Sequence, residues 1–228
     1  MNSSKKRNRG KMSELYKLYK RCLNAKFIHT ENDGDYAVER EGDVLYILFQ
    51  ETSTKTDWKN NFDFPAIPYK DMDIKWRCHR GFLRVWKSIK PYLKDVIADT
   101  TVKQIYVIGY SMGAALATFC HEYIWFNRPD LRESGLEGFG FGCPRVYFGR
   151  MKKELKERWK HFHPIRNCND LVTHVPPAIF GFRHVNKVHK LSNNKIKTNY
   201  TKFKFLNAHY PQNYLFSLEL EKDEEIHK

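Results

Sequence analysis

The residues with the clearest capacity for chemistry are Gly109, Tyr110, Ser111, Met112 and Gly113, which spell G-x-S-x-G. Ile105, Tyr106, Val107 and Ile108 before them form a short apolar run that reads as a buried strand. Ala114, Ala115, Leu116, Ala117, Thr118, Phe119 and Cys120 after them read as the start of a buried helix. A serine on so sharp a strand-to-helix turn sits in strained backbone and presents its Oγ above the sheet. Gly109 and Gly113 lack the Cβ atoms that would clash where the strand and helix pass close together. The helix N-terminus supplies N–H groups and partial positive charge for a developing oxyanion. The bland alternative is a glycine-rich turn carrying an incidental serine.

A serine nucleophile needs a base to take its proton and a carboxylate to orient that base. In the nucleophile-elbow arrangement the chain order is serine, acid, histidine. Asp170 follows a strand-like run at His161–Asn167 and is the best acid, against the plain reading of an Asx-turn or cap. Five histidines follow it: His174, His184, His189, His209 and His227. His209 is the best base, because it sits on a loop just before the last helix, where catalytic groups tend to lie. An oxyanion hole needs two donors. One is the backbone N–H of Met112, and Thr52, after the strand Val44–Gln50, fits as the other. Thr52 also fits an ordinary strand-end turn. His161 and His163 form an H-x-H pair with no third ligand in the sequence, so no metal is expected, and the chemistry calls for no cofactor.

These groups require a scaffold that brings strand ends together. The chain alternates helical and strand patterns, beginning with a helix from Ser13 and the strands Tyr36–Arg40 and Val44–Gln50. A long helix follows His79-Arg80-Gly81 with an apolar stripe from Phe82 to Ile97, kinked or broken at Pro91. A strand is expected at Arg183–Leu191, a last helix over His209–Leu220 and a charged tail at 221–228. This alternation indicates an α/β fold with a mostly parallel central sheet flanked by helices. Ligands in such sheets sit at the strand carboxyl ends. Thr52, Ser111 and Asp170 all follow directly on expected strands.

A length of 228 residues fits one domain, with residues 1–11 a frayed basic N-terminus. The 40 Lys and Arg against 26 Asp and Glu give a net charge of +14. That surplus favours anionic surfaces such as a phospholipid membrane, but it is spread along the chain, and no specific nucleic-acid site is expected. The five cysteines, Cys22, Cys78, Cys120, Cys143 and Cys168, are odd in number and lack C-x-x-C spacing. They point to a reducing compartment rather than a disulfide framework or zinc site. With no signal-peptide run and no apolar stretch of membrane-span length, a soluble, cytoplasmic protein is expected.

Taken together the motifs resemble the class 3 lipase family, the fungal-lipase-like branch of the α/β-hydrolases. The resemblance covers roughly Tyr36 to Tyr214. Gly109 to Ala117 is similar to G-H-S-L-G-G-A-L-A, Cys78 to Leu83 to V-H-x-G-F, and Phe141 to Val146 to F-G-x-P-R-V. Asn167 to Val172 with Val175-Pro176-Pro177 resembles N-x-x-D-x-V-x-x-x-P-P, and Phe180 to His184 resembles G-F-x-H, whose histidine is usually structural. The resemblance implies that Asp170 is the acid and His209 the catalytic histidine of a carboxylic ester hydrolase acting on lipid. Two departures stand out. Glu51 replaces the glycine of F-R-G-[ST] before the oxyanion residue, and Ser53–Asn61 is polar apart from Trp58 where secreted members carry an apolar lid. The first raises the alternative of a catalytically impaired lipid- or partner-binding member of the fold. The second favours a soluble or phospholipid ester over bulk triglyceride.

Overall fold

The sheet is built around strands that carry apolar residues on both faces. The computed structural model describes residues 11–30, 34–51, 65–168, 170–191, 197–202 and 204–226. Its main sheet contains β1 (Ile28–His29), β2 (Gly34–Glu41), β3 (Val44–Glu51), β6 (Gln104–Tyr110), β7 (Leu136–Phe141), β9 (Phe162–Arg166) and β11 (His189–Lys190), in the order β1-β2-β3-β6-β7-β9-β11. β1, β2 and β3 pair antiparallel, and every pairing from β3 to β11 is parallel. β2 and β3 form a hairpin over Gly42-Asp43, where Gly42 supplies a φ of 63°.

Parallel strands covered on both sides read as near-continuous apolar runs, and β3 and β6 do so. Leu45, Ile47, Phe49, Ile105 and Val107 face one core, which they share with α2 (Arg80–Ala98) and α3 (Met112–Asn127). Leu48, Ile108, Tyr110, Phe139, Phe141 and Ile165 face the other, shared with α1 (Lys11–Asn24) and α6 (Pro211–Ile226). α3 is buried on nearly all sides against β3, β6 and β7, which explains its small, apolar N-terminal half. Two short helices, α4 (Lys153–Arg158) and α5 (Lys204–Asn207), complete the set among the described residues.

Several sequence expectations need correction. α2 runs unbroken through Pro91. Pro91 is exposed, so the carbonyl it leaves without an amide partner faces water, while Ile89, Leu93 and Ile97 hold the opposite side in the core. Residues 221–226 continue α6 instead of forming a tail, and Glu225 accepts a hydrogen bond from the backbone N–H of Met12 in the first turn of α1. The N-terminal residues 1–10 lie outside the described residues, and Lys11 already belongs to α1. The strand expected at Arg183–Leu191 is two short ones in different sheets. β10 (Phe182–Arg183) joins a small antiparallel sheet of order β10-β8-β5-β4, with β8 at Tyr147–Phe148, β5 at Trp76–His79 and β4 at Ala66–Tyr69, whereas β11 pairs with β9. That small sheet has strands too short to show a period in sequence.

Candidate active site

Ser111 lies between β6 and α3 with φ 56° and ψ −125°, a region that residues with a side chain rarely occupy. Two glycines make this turn possible. A Cβ on Gly109 would stand 2.2 Å from the Gly113 carbonyl oxygen, so the strand and helix touch there. A Cβ on Gly113 would stand 2.3 Å from the carbonyl oxygen of Phe49, so the second glycine admits the neighbouring strand β3. Met112 is the first residue of α3, and an N–H in that turn has no acceptor within the helix.

Ser111, His209 and Asp170 come together across 98 and 39 residues of sequence. The Ser111 Oγ is 2.8 Å from His209 Nε2, and His209 Nδ1 is 2.8 Å from Asp170 Oδ2. Asp170 is fully buried and takes two further donors, the Tyr214 hydroxyl at 2.6 Å and the Val172 backbone N–H at 2.9 Å. Burial alone would raise its pKa. The charge of His209 and the hydrogen bonds from His209, Tyr214 and Val172 outweigh burial and hold the carboxyl below its ordinary range. With Nδ1–H donated to that carboxylate, His209 presents an acceptor at Nε2, and the serine hydroxyl donates to it.

The surroundings fix this relay. Gly142 follows β7 with φ 62°, and a Cβ there would come 2.8 Å from His209 Cε1 and 3.4 Å from Asp170 Oδ2. Cys168, two residues before Asp170, has φ 43°, and Ser111 and Cys168 are the two non-glycine residues with positive φ among those described. Asn167 donates from its side chain to the Ala208 carbonyl at 2.9 Å and from its backbone to the Tyr214 hydroxyl at 3.1 Å, tying the Asp170 loop to the His209 loop. The Tyr110 hydroxyl donates to the His209 carbonyl, and its ring stacks on the imidazole at 5.2 Å. The roles of Tyr110, Tyr214 and Asn167 escape sequence reading. Tyr110 borders the elbow and Tyr214 is five residues past His209, but neither carries a local signal for what it touches.

The remaining candidates take other places. His184 Nε2 meets the Thr173 carbonyl at 2.9 Å, a structural contact, and His189 is exposed on β11. His161 and His163 share Glu137 on β7 at 3.5 and 3.1 Å, but the described residues contain no group that could hold a metal ion. Thr52, the stretch Ser53–Asn61 and His227 lie outside the described residues, and so does the side chain of Glu51.

The Lipase (class 3) family profile matches residues 46–180, more than half the chain. The chain belongs to the class 3 lipase family. Among curated class 3 relatives, a Rhizomucor miehei lipase is 25% identical over 159 residues, covering 68% of this chain and 44% of that protein. A secreted mono- and diacylglycerol lipase of Fusarium solani is 27% identical over 154 residues, covering 64% and 43%. The chain thus spans under half the length of these relatives. In fold it matches a triacylglycerol lipase whose catalytic centre is described as a serine protease triad, with a TM-score of 0.65 at 21% identity over 81% of this chain and 80% of that one. The native Rhizomucor miehei lipase propeptide complex gives 0.65 at 20% identity, covering 96% and 80%. These likenesses establish the α/β-hydrolase fold for this member of the class 3 lipase family. No helix among its described residues is long and apolar enough to cross a membrane.

Proposed function

We propose that this chain is a serine-dependent carboxylic ester hydrolase acting on lipid esters. Ser111 Oγ attacks the acyl carbonyl while His209 Nε2 takes its proton. Asp170 orients the imidazole and stabilises the imidazolium that forms. The Met112 N–H receives the negative charge that develops on the carbonyl oxygen, with Thr52 assigned as the second donor. His209 then returns the proton to the leaving alcohol. The same histidine activates a water that attacks the acyl-enzyme, releasing the fatty acid and restoring Ser111. The sequence needs no metal and no cofactor.

The observation that carries this reading is the pair of 2.8 Å contacts that join Ser111 to His209 and His209 to Asp170. A strained serine supported by a complete relay favours hydrolysis over the alternative of a binding-only member. The family supports lipid as the substrate class. The polar composition of Ser53–Asn61 supports short soluble esters or phospholipids over bulk triglyceride. We further propose an intracellular compartment. The odd number of cysteines and their lack of C-x-x-C spacing support it, whereas the Fusarium relative is named as secreted.

The test is hydrolysis of a p-nitrophenyl acyl ester series. The wild type should turn over with a defined chain-length preference, and Ser111→Ala should lose activity by about 10⁴-fold or more. Turnover by Ser111→Ala at the wild-type rate would sink the assignment.

A further inference from the structure

The loop that leaves Asp170 carries two kinds of side chain that folding leaves unsatisfied. The first are cations. Arg166 Nη1 lies 2.6 Å from His174 Nε2, and Arg145 Nη2 lies 3.4 Å from His174 Nδ1. A neutral imidazole accepts a hydrogen bond at one nitrogen, and a protonated one at neither. One guanidinium therefore points at an N–H or at no acceptor. Arg145 is otherwise held by backbone carbonyls, those of His174 and Pro176. Among the described residues no carboxylate lies within ion-pair distance of Arg145, Arg166 or Arg183. Arg183 on β10 pairs with Tyr147 of β8, two residues past Arg145, and Arg166 shares His174 with Arg145, so the three cations lie together. Burial first, then the charges of Arg166 and Arg183, lower the pKa of Arg145. Asp170 acts on His174 as well, but its carboxylate is committed to His209. Elsewhere the buried or half-buried arginines Arg21, Arg128 and Arg158 have carboxylate partners, and Arg132 is held by the Trp125 and Phe126 carbonyls and the Trp125 ring.

The second are apolar. Leu171, Ile179 and Phe180 are 44%, 61% or more exposed, with Ile179 at 88%. They flank the same loop, Leu171 directly after Asp170 and the other two on the turn Ala178–Phe180. The loop springs from the carboxyl end of β9, and Arg145 follows β7, so this surface borders the mouth of the Ser111 site.

We propose that Arg145, Arg166 and Arg183, with Leu171, Ile179 and Phe180, form a docking surface for anionic phospholipid membranes. The guanidinium groups take the lipid phosphates, and the three apolar side chains enter the acyl boundary. Charge complementarity selects this occupant: three cations without counter-ions beside exposed apolar groups match a surface that offers anions above hydrocarbon. Resting on the hydrolase reading, the surface would bring membrane esters to Ser111.

The test is sedimentation of the full chain with phosphatidylcholine vesicles, with and without phosphatidylglycerol. The wild type should bind the anionic vesicles more tightly, and added salt should weaken that binding. A juxtamembrane arginine contributes about fivefold, so Arg166→Gln with Arg183→Gln should lower anionic-vesicle binding by about 30-fold. Ile179→Ser with Phe180→Ser should weaken binding to both vesicle types. Arg183 is exposed, and Arg183→Glu gives the same reading if the double arginine variant does not fold. Equal binding of the wild type to both vesicle types would overturn the proposal. So would unchanged binding by folded arginine variants, or binding of inorganic phosphate without vesicle binding. Hydrolysis of a soluble p-nitrophenyl ester is measured separately. Turnover without charge-selective binding overturns the docking surface alone. Charge-selective binding without turnover supports the surface and overturns the hydrolase reading.

Discussion

Gly142 shows how tightly the relay is built. Its φ of 62° and the 2.8 Å that would separate an added Cβ from His209 Cε1 mean that any side chain pushes the imidazole off Ser111. A displacement near 1 Å costs on the order of 100-fold in rate, so Gly142→Ala should lower kcat on a soluble ester by about that factor. Steady-state kinetics on the folded variant checks this. Tyr110 acts on the same histidine from its backbone side. Tyr110→Phe deletes the donor to the His209 carbonyl, and a part-buried acceptor left alone costs about 1–3 kcal/mol. A lower unfolding free energy is expected, with kcat falling more than KM changes. The sequence makes the proposed nucleophile legible because the glycines flanking Ser111 report backbone contact. Tyr110 and Tyr214 are not legible, because their hydroxyls meet partners 99 and 44 residues away.

At the scale of elements, the sheet was readable where strands run long and apolar. β3 and β6 announce themselves because both faces are buried, and α2 because its stripe from Phe82 to Ile97 keeps the helical period. Two-residue strands such as β8, β10 and β11 have no period to read, and their pairing is set by tertiary contact. The continuation of α6 was hidden by its charge. Glu221, Lys222, Glu224 and Glu225 are good helix formers, and Glu225 is held by the start of α1. One contact between elements was beyond reach. Arg158 in α4 is 1% exposed and pairs with the buried Glu122 of α3 at 2.7 Å, while Trp76 of β5 donates to the same carboxylate at 3.1 Å. Removing one partner strands the other charge, so Arg158→Leu should destabilise the fold by about 3–5 kcal/mol. Equilibrium denaturant unfolding measures this.

For the whole molecule the two buried carboxylates act in opposite directions with pH. The folded-state pKa of Asp170 lies below its unfolded value, so its stabilisation is full above the unfolded value and is lost as pH falls through the folded one. Asp170→Asn should flatten the acid limb of a stability-against-pH curve. Burial pushes Glu122 up to about 7, with Arg158 and Trp76 only partly offsetting it. The folded state then holds a proton that the unfolded chain releases near 4.5, and stability falls as pH rises between those values. Glu122→Gln should remove that neutral slope, as thermal unfolding across a pH series would show. The overall charge of +14 gave the sequence a preference for anionic surfaces without a location. The proposed location is where Arg145, Arg166 and Arg183, up to 38 residues apart in sequence, come together beside the loop that carries Asp170. The proposed hydrolysis depends on Ser111 being a nucleophile activated by His209. Its most direct test is to treat the full chain with a fluorophosphonate and locate the adduct by mass spectrometry of its peptides. One phosphonylated residue, Ser111, is expected, with labelling lost in His209→Ala. An unmodified Ser111 in folded protein, or labelling that persists unchanged in His209→Ala, would contradict it.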